Sequence, residues 1–338
     1  MERKNVAVAM PEAAKEAGLD ADQLRTMFRH MVRARVLDER MWVLNRQGRA
    51  PFVISCQGHE AAQVGMAMAL RAGYDWIAPY YRDLALTLVL GMTPRDHLLA
   101  TMARADDPNS GGRQMPAHYG CRRLNIITGG SAVATQVLHA AGAALAAKVR
   151  GEDAVAFTSL GEGSTSEGDF HEGLNFAAVH HLPLICVVEN NGFAISVPWN
   201  KQMPLKDVAE RAHGYGMPGV IVDGGDPVAS YAAMKHAVER GRRGEGPTLI
   251  EAKVARLTPH SSDDDDRVYK PREELAEEKK HDCVQRFRQE LEEAGVLSPG
   301  DAEEVRAEAM REVDKALQEA EAAPLPAPES AMLNVYGD

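Results

Sequence analysis

Cysteine is sparse in this chain. Cys56, Cys121, Cys186 and Cys283 stand far apart and form no CxxC pair. That spacing suggests neither a zinc site nor a disulfide framework and fits a reducing cytoplasm. Positive charge is not in excess: 38 Lys and Arg against 49 Asp and Glu give a net charge of −11. The chain therefore has no basic footprint of the kind a duplex nucleic acid requires, although a few local donors can still hold a small anion. Long apolar runs are missing too. No window reaches the roughly 18 apolar residues of a membrane span, and the opening MERKNVAVAMPEAAKEAG has no apolar segment of signal-peptide length. The expectation is a soluble, cytoplasmic protein with neither nucleic acid nor membrane as a partner.

What is present, 338 residues at 45% hydrophobic, is enough for a substantial core. Leu24, Met27, Phe28, Met31, Ala34, Leu37, Met41 and Leu44 recur at helical spacing and predict a long amphipathic helix over 21–47, closed by Gly48. A second helix over 60–70 leads to a short strand over 76–78. Residues 101–130 are rich in Gly and Pro and lack periodicity, as functional loops do. From 135 onward, helices (135–149, 167–180, 207–215, 228–240) alternate with apolar strands (154–160, 184–188, 220–222, 248–254). This alternation predicts an α/β fold: a doubly wound, mostly parallel sheet with helices on both faces, binding its ligand beyond the carboxyl ends of the strands. Two charged helices separated by LSPGD, then a Pro-rich tail, close the chain. Three regions are expected: a helical extension over 1–50, the α/β domain over 51–270, and C-terminal helices with the tail over 271–338.

The chemistry concentrates at two strand ends. Glu162, between Gly161 and Gly163, follows AVAFTSL, and Asn190 and Asn191 follow LICVV. The glycines let a phosphate approach the main chain, while a carboxylate, an amide oxygen and a carbonyl oxygen are the hard donors that suit magnesium. Each feature alone also reads as a turn or a helix cap. The dinucleotide fingerprint GxGxxG is not completed by Gly161, Gly163 and Gly168, which disfavours an NAD-dependent oxidoreductase.

Taken together, GEGSTSEGDFHEGLNFAA and ENNGFAIS resemble the thiamin diphosphate motif of alpha subunits of 2-oxo acid dehydrogenase complexes. PYYRDLAL, GRQMPAHYG, SAVATQ, VDGGD, GEGPTLIEA and TPHSSDDDDRVY are similar to segments of that family in the same order, so the likeness covers about residues 20–330. It is nearest the branched-chain type. The resemblance implies that Glu162 and Asn191 ligate Mg2+ with their side chains and Phe193, where Tyr is common, with its carbonyl. It implies that Tyr81 and Arg82 bind the diphosphate, Arg82 as a planar fork of donors, with backbone N–H groups from Gly163 and Ser164. Read alone, Arg82 would be a surface ion-pair partner of Asp83 or another acid.

Ser131 and Val133 would border the thiazolium and the substrate, a small Val133 enlarging the acyl pocket; on their own they read as a helix cap and a core contact. His260 would be the catalytic histidine, touching phosphate near the reacting carbons. Ser261 matches a serine phosphorylated in mitochondrial relatives, and the acidic run 263–266, otherwise a solvated loop, matches one that orders on cofactor binding. Glu189 stands where some branched-chain relatives have Arg, removing one phosphate contact. The implied reaction is oxidative decarboxylation of a 2-oxo acid with acyl transfer to a lipoyl-bearing acyltransferase component. No second doubly wound domain is present to hold the cofactor's pyrimidine, so a separate beta subunit is implied, in an assembly of two alpha and two beta chains, with helices such as 21–47 available for burial between subunits. A pyruvate or acetoin dehydrogenase alpha subunit, or a non-catalytic nucleotide-binding scaffold, are the alternatives.

Overall fold

The computed structural model describes residues 10–333. The first nine residues, which belong to the stretch read as lacking a signal segment, and the last five of the tail lie outside the described residues. Among the described residues seven strands form: β1 (Trp76–Ala78), β2 (Ala156–Gly161), β3 (Leu184–Asn190), β4 (Phe193–Ala194), β5 (Val197–Pro198), β6 (Gly219–Asp223) and β7 (Thr248–Lys253). Five of them make one sheet in the order β1-β2-β3-β7-β6 with every neighbouring pair parallel, while β4 and β5 form a small antiparallel hairpin just past β3.

Alternation along the strands decides what each face meets. Phe157, Ile185, Val187, Ile250 and Ala252 pack with residues of helices Glu60–Ala67 and Pro227–Arg242. Ala156, Leu160, Leu184, Cys186, Val188 and Leu249 pack with residues of helices Thr135–Arg150 and Gly168–Val179. Helix Glu60–Ala67 is buried on all sides. It lies so close to the start of helix Pro227–Arg242 that a Cβ on Gly65 would stand 2.2 Å from the Pro227 carbonyl oxygen, so only glycine fits there.

The long N-terminal helix spans Ala21–Arg46, opened by a capping box between Asp20 and Gln23. Its apolar stripe is already buried within the chain, against helices Cys283–Glu293 and Pro299–Ala322. Each large side chain so buried contributes roughly 1.5–3 kcal/mol. The expectation that this face is available for burial between subunits is therefore corrected. Beyond β7 a short helix, Arg272–Glu278, precedes the two anticipated ones, because Pro271 and Asp282 mark separate helix starts. The stretch expected as a helix over 207–215 is a 3₁₀ turn, Val208–Arg211, running into a single helical turn, Ala212–Tyr215.

Candidate active site

Four neighbouring strands, β1, β2, β3 and β7, end on the same edge of the sheet, and charged or polar residues follow within four positions of each end. In the ladder Gly161 pairs with Glu189 and Asn190 with Lys253, so the tips of β2, β3 and β7 lie side by side.

Glu162, the first residue past β2, is 1% exposed, yet its carboxylate points to the tip of β3. Its Oε2 accepts from the Asn191 backbone N–H at 3.3 Å, and its Oε1 accepts from Gln202 Nε2 at 3.4 Å. Burial pushes its pKa up, since these two neutral donors compensate only part of the lost hydration. Glu162 caps no helix: it is the first residue of a 3₁₀ stretch, Glu162–Ser166, and the α-helix that follows starts at Gly168 with Glu167 at its N-cap. The asparagines do serve a turn. Asn190 Oδ1 accepts from Gly192 N–H at 3.0 Å and Asn191 Oδ1 from Phe193 N–H at 3.2 Å, with Gly192 at φ +82°. Asn190 also donates to Glu251 at 2.7 Å, which leaves Asn191 as the amide at the rim. Glu162, Asn191 and Phe193 are thus brought together.

The two glycines of GEG differ. A Cβ on Gly163 would lie 2.5 Å from the Ala194 Cβ in β4, whereas one on Gly161 meets nothing within 4 Å. Gly163 is what lets the turn after β2 close on the hairpin that carries Phe193.

Arg82, after β1, is 2% exposed and pairs with no carboxylate among the described residues, so the surface reading does not hold. Its Nη1 donates to the Ser55 carbonyl at 2.5 Å, its Nη2 comes within 3.4 Å of both Nδ1 and the carbonyl oxygen of His260, and its Nε has no partner. Tyr81 meets the His260 ring edge-on, with centroids 6.1 Å apart. His260 is held down to a pKa of about 4, first by burial and then by the charges of Arg82 and Arg256, so it is neutral at pH 7. The acidic run is not a merely solvated loop. Asp264 accepts from the His260 backbone N–H at 2.8 Å and from the Tyr269 hydroxyl at 2.5 Å, fixing the His260 turn. Ser261 is buried, its Oγ accepting from Asp263 N–H at 3.4 Å.

Tyr81, Val133 and Ser164 line one small cleft together with His118 and Gln136. Val133 is 37% exposed, so it is no core contact, and the following helix is capped by Ala134 rather than by Ser131. Ser131 reaches the cleft through His118, whose Nε2 lies 2.7 Å from its Oγ. Asn191 also borders a wider groove on the other side, with Lys253, Lys279 and Arg286.

Sequence reasoning missed the groups beneath this edge. Glu189, taken as a lost phosphate contact, is buried under the loop that carries Arg82: its Oε2 pairs with His59 Nδ1 at 2.6 Å and accepts from Gln63 Nε2 at 3.0 Å. Gln63 Nε2 also donates to the Arg82 carbonyl at 3.0 Å, and its Oε1 accepts from Ala85 N–H at 3.1 Å. Asp83 accepts from Tyr80 N–H and from the Ser159 hydroxyl. Burial raises the pKa of both Glu189 and Asp83, and the Glu189 charge raises that of Asp83 further. Arg256 was missed as well. The signal for the first group was available: Glu189 shares a sheet face with Ile185 and Val187, where a carboxylate needs a buried partner.

Residues 28–329 match the family described as the dehydrogenase E1 component. The chain belongs to that family. It is 54% identical over 319 residues to 2-oxoisovalerate dehydrogenase subunit alpha of Bacillus subtilis, covering 94% of this chain and 97% of that protein. It is 42% identical over 291 residues to 3-methyl-2-oxobutanoate dehydrogenase subunit alpha of Mycobacterium tuberculosis, covering 86% and 76%. With the pyruvate dehydrogenase E1 component subunit alpha of Bacillus cereus it shares 40% identity over 317 residues, covering 94% and 81%. The resemblance to alpha subunits of 2-oxo acid dehydrogenases, nearest the branched-chain type, is borne out. Among the described residues no helix is long and apolar enough to cross a membrane, and no group of three or more His, Cys, Asp or Glu side chains could hold a metal ion.

Proposed function

We propose that this chain is the alpha subunit of a branched-chain 2-oxo acid dehydrogenase, which decarboxylates its substrate oxidatively with thiamin diphosphate and Mg2+ and passes the acyl group to a lipoyl domain. The observation that carries the reading is the meeting of Glu162 and Asn191 at adjacent strand tips. The residues fit a diphosphate and a divalent cation on three counts. Gly163 keeps open a turn that a Cβ would fill, Arg82 holds a buried N–H without a partner, and the rim offers one carboxylate with amide and carbonyl oxygens, a hard donor set.

When bound, thiamin diphosphate supplies the carbon nucleophile and the electron sink for decarboxylation. This chain does the holding. Glu162, Asn191 and the Phe193 carbonyl take the cation; Tyr81, Arg82 and the backbone of Gly163 and Ser164 take the diphosphate. His260, neutral, can donate one N–H to a phosphate oxygen or to the substrate carboxylate. Ser131 and Val133 border the substrate, and the small Val133 leaves room for a branched side chain. Identity of 54% to a 2-oxoisovalerate enzyme subunit, against 40% to a pyruvate one, favours that substrate class.

The sheet faced by different helices on its two sides supports the doubly wound reading, with a helical extension over 1–50, an α/β domain over 51–270 and C-terminal helices over 271–338. The pyrimidine-binding half and the glutamate that activates the cofactor come from a beta subunit in a cytoplasmic assembly of two alpha and two beta chains, and a lipoyl-bearing acyltransferase component receives the product. Titration calorimetry of the alpha and beta pair with thiamin diphosphate tests this: binding should require Mg2+ and disappear in Glu162→Ala. Turnover of 3-methyl-2-oxobutanoate should exceed that of pyruvate. Binding that ignores Mg2+ or the substitution would reject the site.

A further inference from the structure

Arg256, three residues past β7, is 1% exposed and is the largest fully buried side chain among the described residues. A guanidinium cannot shed its charge, so burying one is unfavourable unless an anion or a full set of acceptors meets it. Arg256 has neither. Its Nη2 donates to the Tyr269 hydroxyl at 2.8 Å, its Nε and Nη1 have no partner, and no carboxylate pairs with it among the described residues. Its guanidinium carbon lies 5.8 Å from the centroid of the Phe193 ring and 5.9 Å from that of Tyr269, so aromatic rings take part of the exposure without cancelling the charge.

Its neighbourhood is that of the site. Arg256 and Arg82 both act on His260, and Arg256 also acts on Glu162. Arg82 meets His260 directly and Arg256 is tied to the His260 turn through Tyr269 and Asp264; each of the two buried cations keeps at least one N–H unused, and Asp264 is committed to the His260 backbone and Tyr269. Glu189 is turned beneath the site and holds His59 and Gln63. The residue before the asparagine pair thus contributes no positive charge.

We propose that Arg256 is the second guanidinium of the diphosphate site, binding the phosphate oxygens alongside Arg82. This rests on the cofactor reading above and adds to it a residue that the motif does not contain. The unused donors account for the missing counter-ion: the anion that neutralises them is the ligand itself.

The test uses the alpha chain purified with its beta subunit and titrated calorimetrically with three probes: thiamin diphosphate with Mg2+, inorganic pyrophosphate with Mg2+, and unphosphorylated thiamin. Arg256→Gln should weaken both phosphate-bearing probes by roughly ten- to a hundred-fold, the range for hydrogen bonds to a charged group, and leave thiamin unchanged. Arg256→Lys, which keeps the charge but loses the fork, should fall between it and the unsubstituted protein and carries the test if Arg256→Gln does not fold. The melting temperature without ligand should hold or rise in Arg256→Gln, because an unpaired buried charge has gone, while the upward shift on adding cofactor shrinks. Unchanged phosphate affinity, or a lower melting temperature without ligand at an unchanged cofactor-induced shift, would overturn the proposal and leave a structural role. If the unsubstituted protein fails to bind thiamin diphosphate, the cofactor reading itself falls. If it binds and only Arg82→Gln weakens binding, this inference alone fails.

Discussion

Gly163→Ala is the substitution whose outcome the structure constrains most tightly. The new methyl would stand 2.5 Å from the Ala194 Cβ and 3.4 Å from the Ala194 Cα. Carbon atoms rest at about 3.5–4.0 Å, so the turn after β2 and the β4 hairpin must part by about 1 Å or more. Overpacking of this kind costs typically ~1–3 kcal/mol. The movement falls on the neighbour of Phe193, whose carbonyl is the expected cation ligand, so cofactor affinity should drop as well, by roughly tenfold or more for each ~1.4 kcal/mol of strain that binding must reverse. Gly161→Ala is the matched control. It has the same chemistry two residues away, nothing within 4 Å of the new methyl, and an ordinary backbone φ of −79°. It should be neutral or stabilising by about 0.4–1 kcal/mol through the unfolded chain. Urea unfolding of the ligand-free protein gives the first quantity, and a thiamin diphosphate titration with Mg2+ gives the second. Equal behaviour of the two alanine variants in both assays would refute the argument from close approach.

Further outcomes follow from the buried charges. Glu162→Gln should abolish Mg2+-dependent binding yet stabilise the ligand-free protein at neutral pH. Burial raises the pKa of Glu162, so its contribution to stability is present below the ordinary carboxyl value of 4.5 and is lost as pH rises through the folded-state value; denaturation at pH 4 and pH 8 with and without the substitution checks this. His260 behaves oppositely: its pKa is lowered from 6.5 to about 4, so the ligand-free protein should lose stability as pH falls through that window, and His260→Gln should flatten the loss. A bound anion should raise the imidazole pKa, visible as a shifted NMR titration; an unmoved titration would mean that the anion sits elsewhere. Gln63→Leu strands the Arg82 carbonyl, the Ala85 N–H and one Glu189 bond, at roughly 1–3 kcal/mol for each unsatisfied group, and should weaken cofactor binding more than Glu189→Gln, which keeps an acceptor. Equal affinity in Gln63→Leu and the unsubstituted protein would show that the Arg82 loop holds itself.

The edge of the sheet was legible because parallel strands buried on both faces read as apolar runs, and where such a run stops, a polar residue marks the rim. Glu162 and Asn191 lie just past such an end and were read from it, whereas Arg82, in the loop after β1, was named only through the family resemblance. Periodicity also found the long helix but not its partner. Leu24 and Phe28 are buried in one core with residues of helices Cys283–Glu293 and Pro299–Ala322 inside the same chain, and an apolar stripe looks the same whether its partner is intramolecular or another subunit.

The residues that were missed share a different property: they act from below. Glu189 was judged by its place in a motif, whereas its function follows from its parity in β3, where Ile185 and Val187 face helix Glu60–Ala67. A carboxylate on that face requires a donor across the gap, and Gln63 on that helix, with His59 at its N-cap, supplies two. The requirement is reciprocal, since an amide buried on all sides of an apolar helix must likewise find partners. Two polar interruptions on facing elements, one in an otherwise apolar strand and one in an otherwise apolar helix, therefore predict each other. Arg256 obeys the same rule with the partner missing. A buried cation after β7, with two N–H groups unpartnered and no carboxylate paired with it directly among the described residues, predicts an anion that the chain does not itself contain. Unbalanced charge then locates a ligand as surely as a motif does, and it does so at positions where the motif is silent.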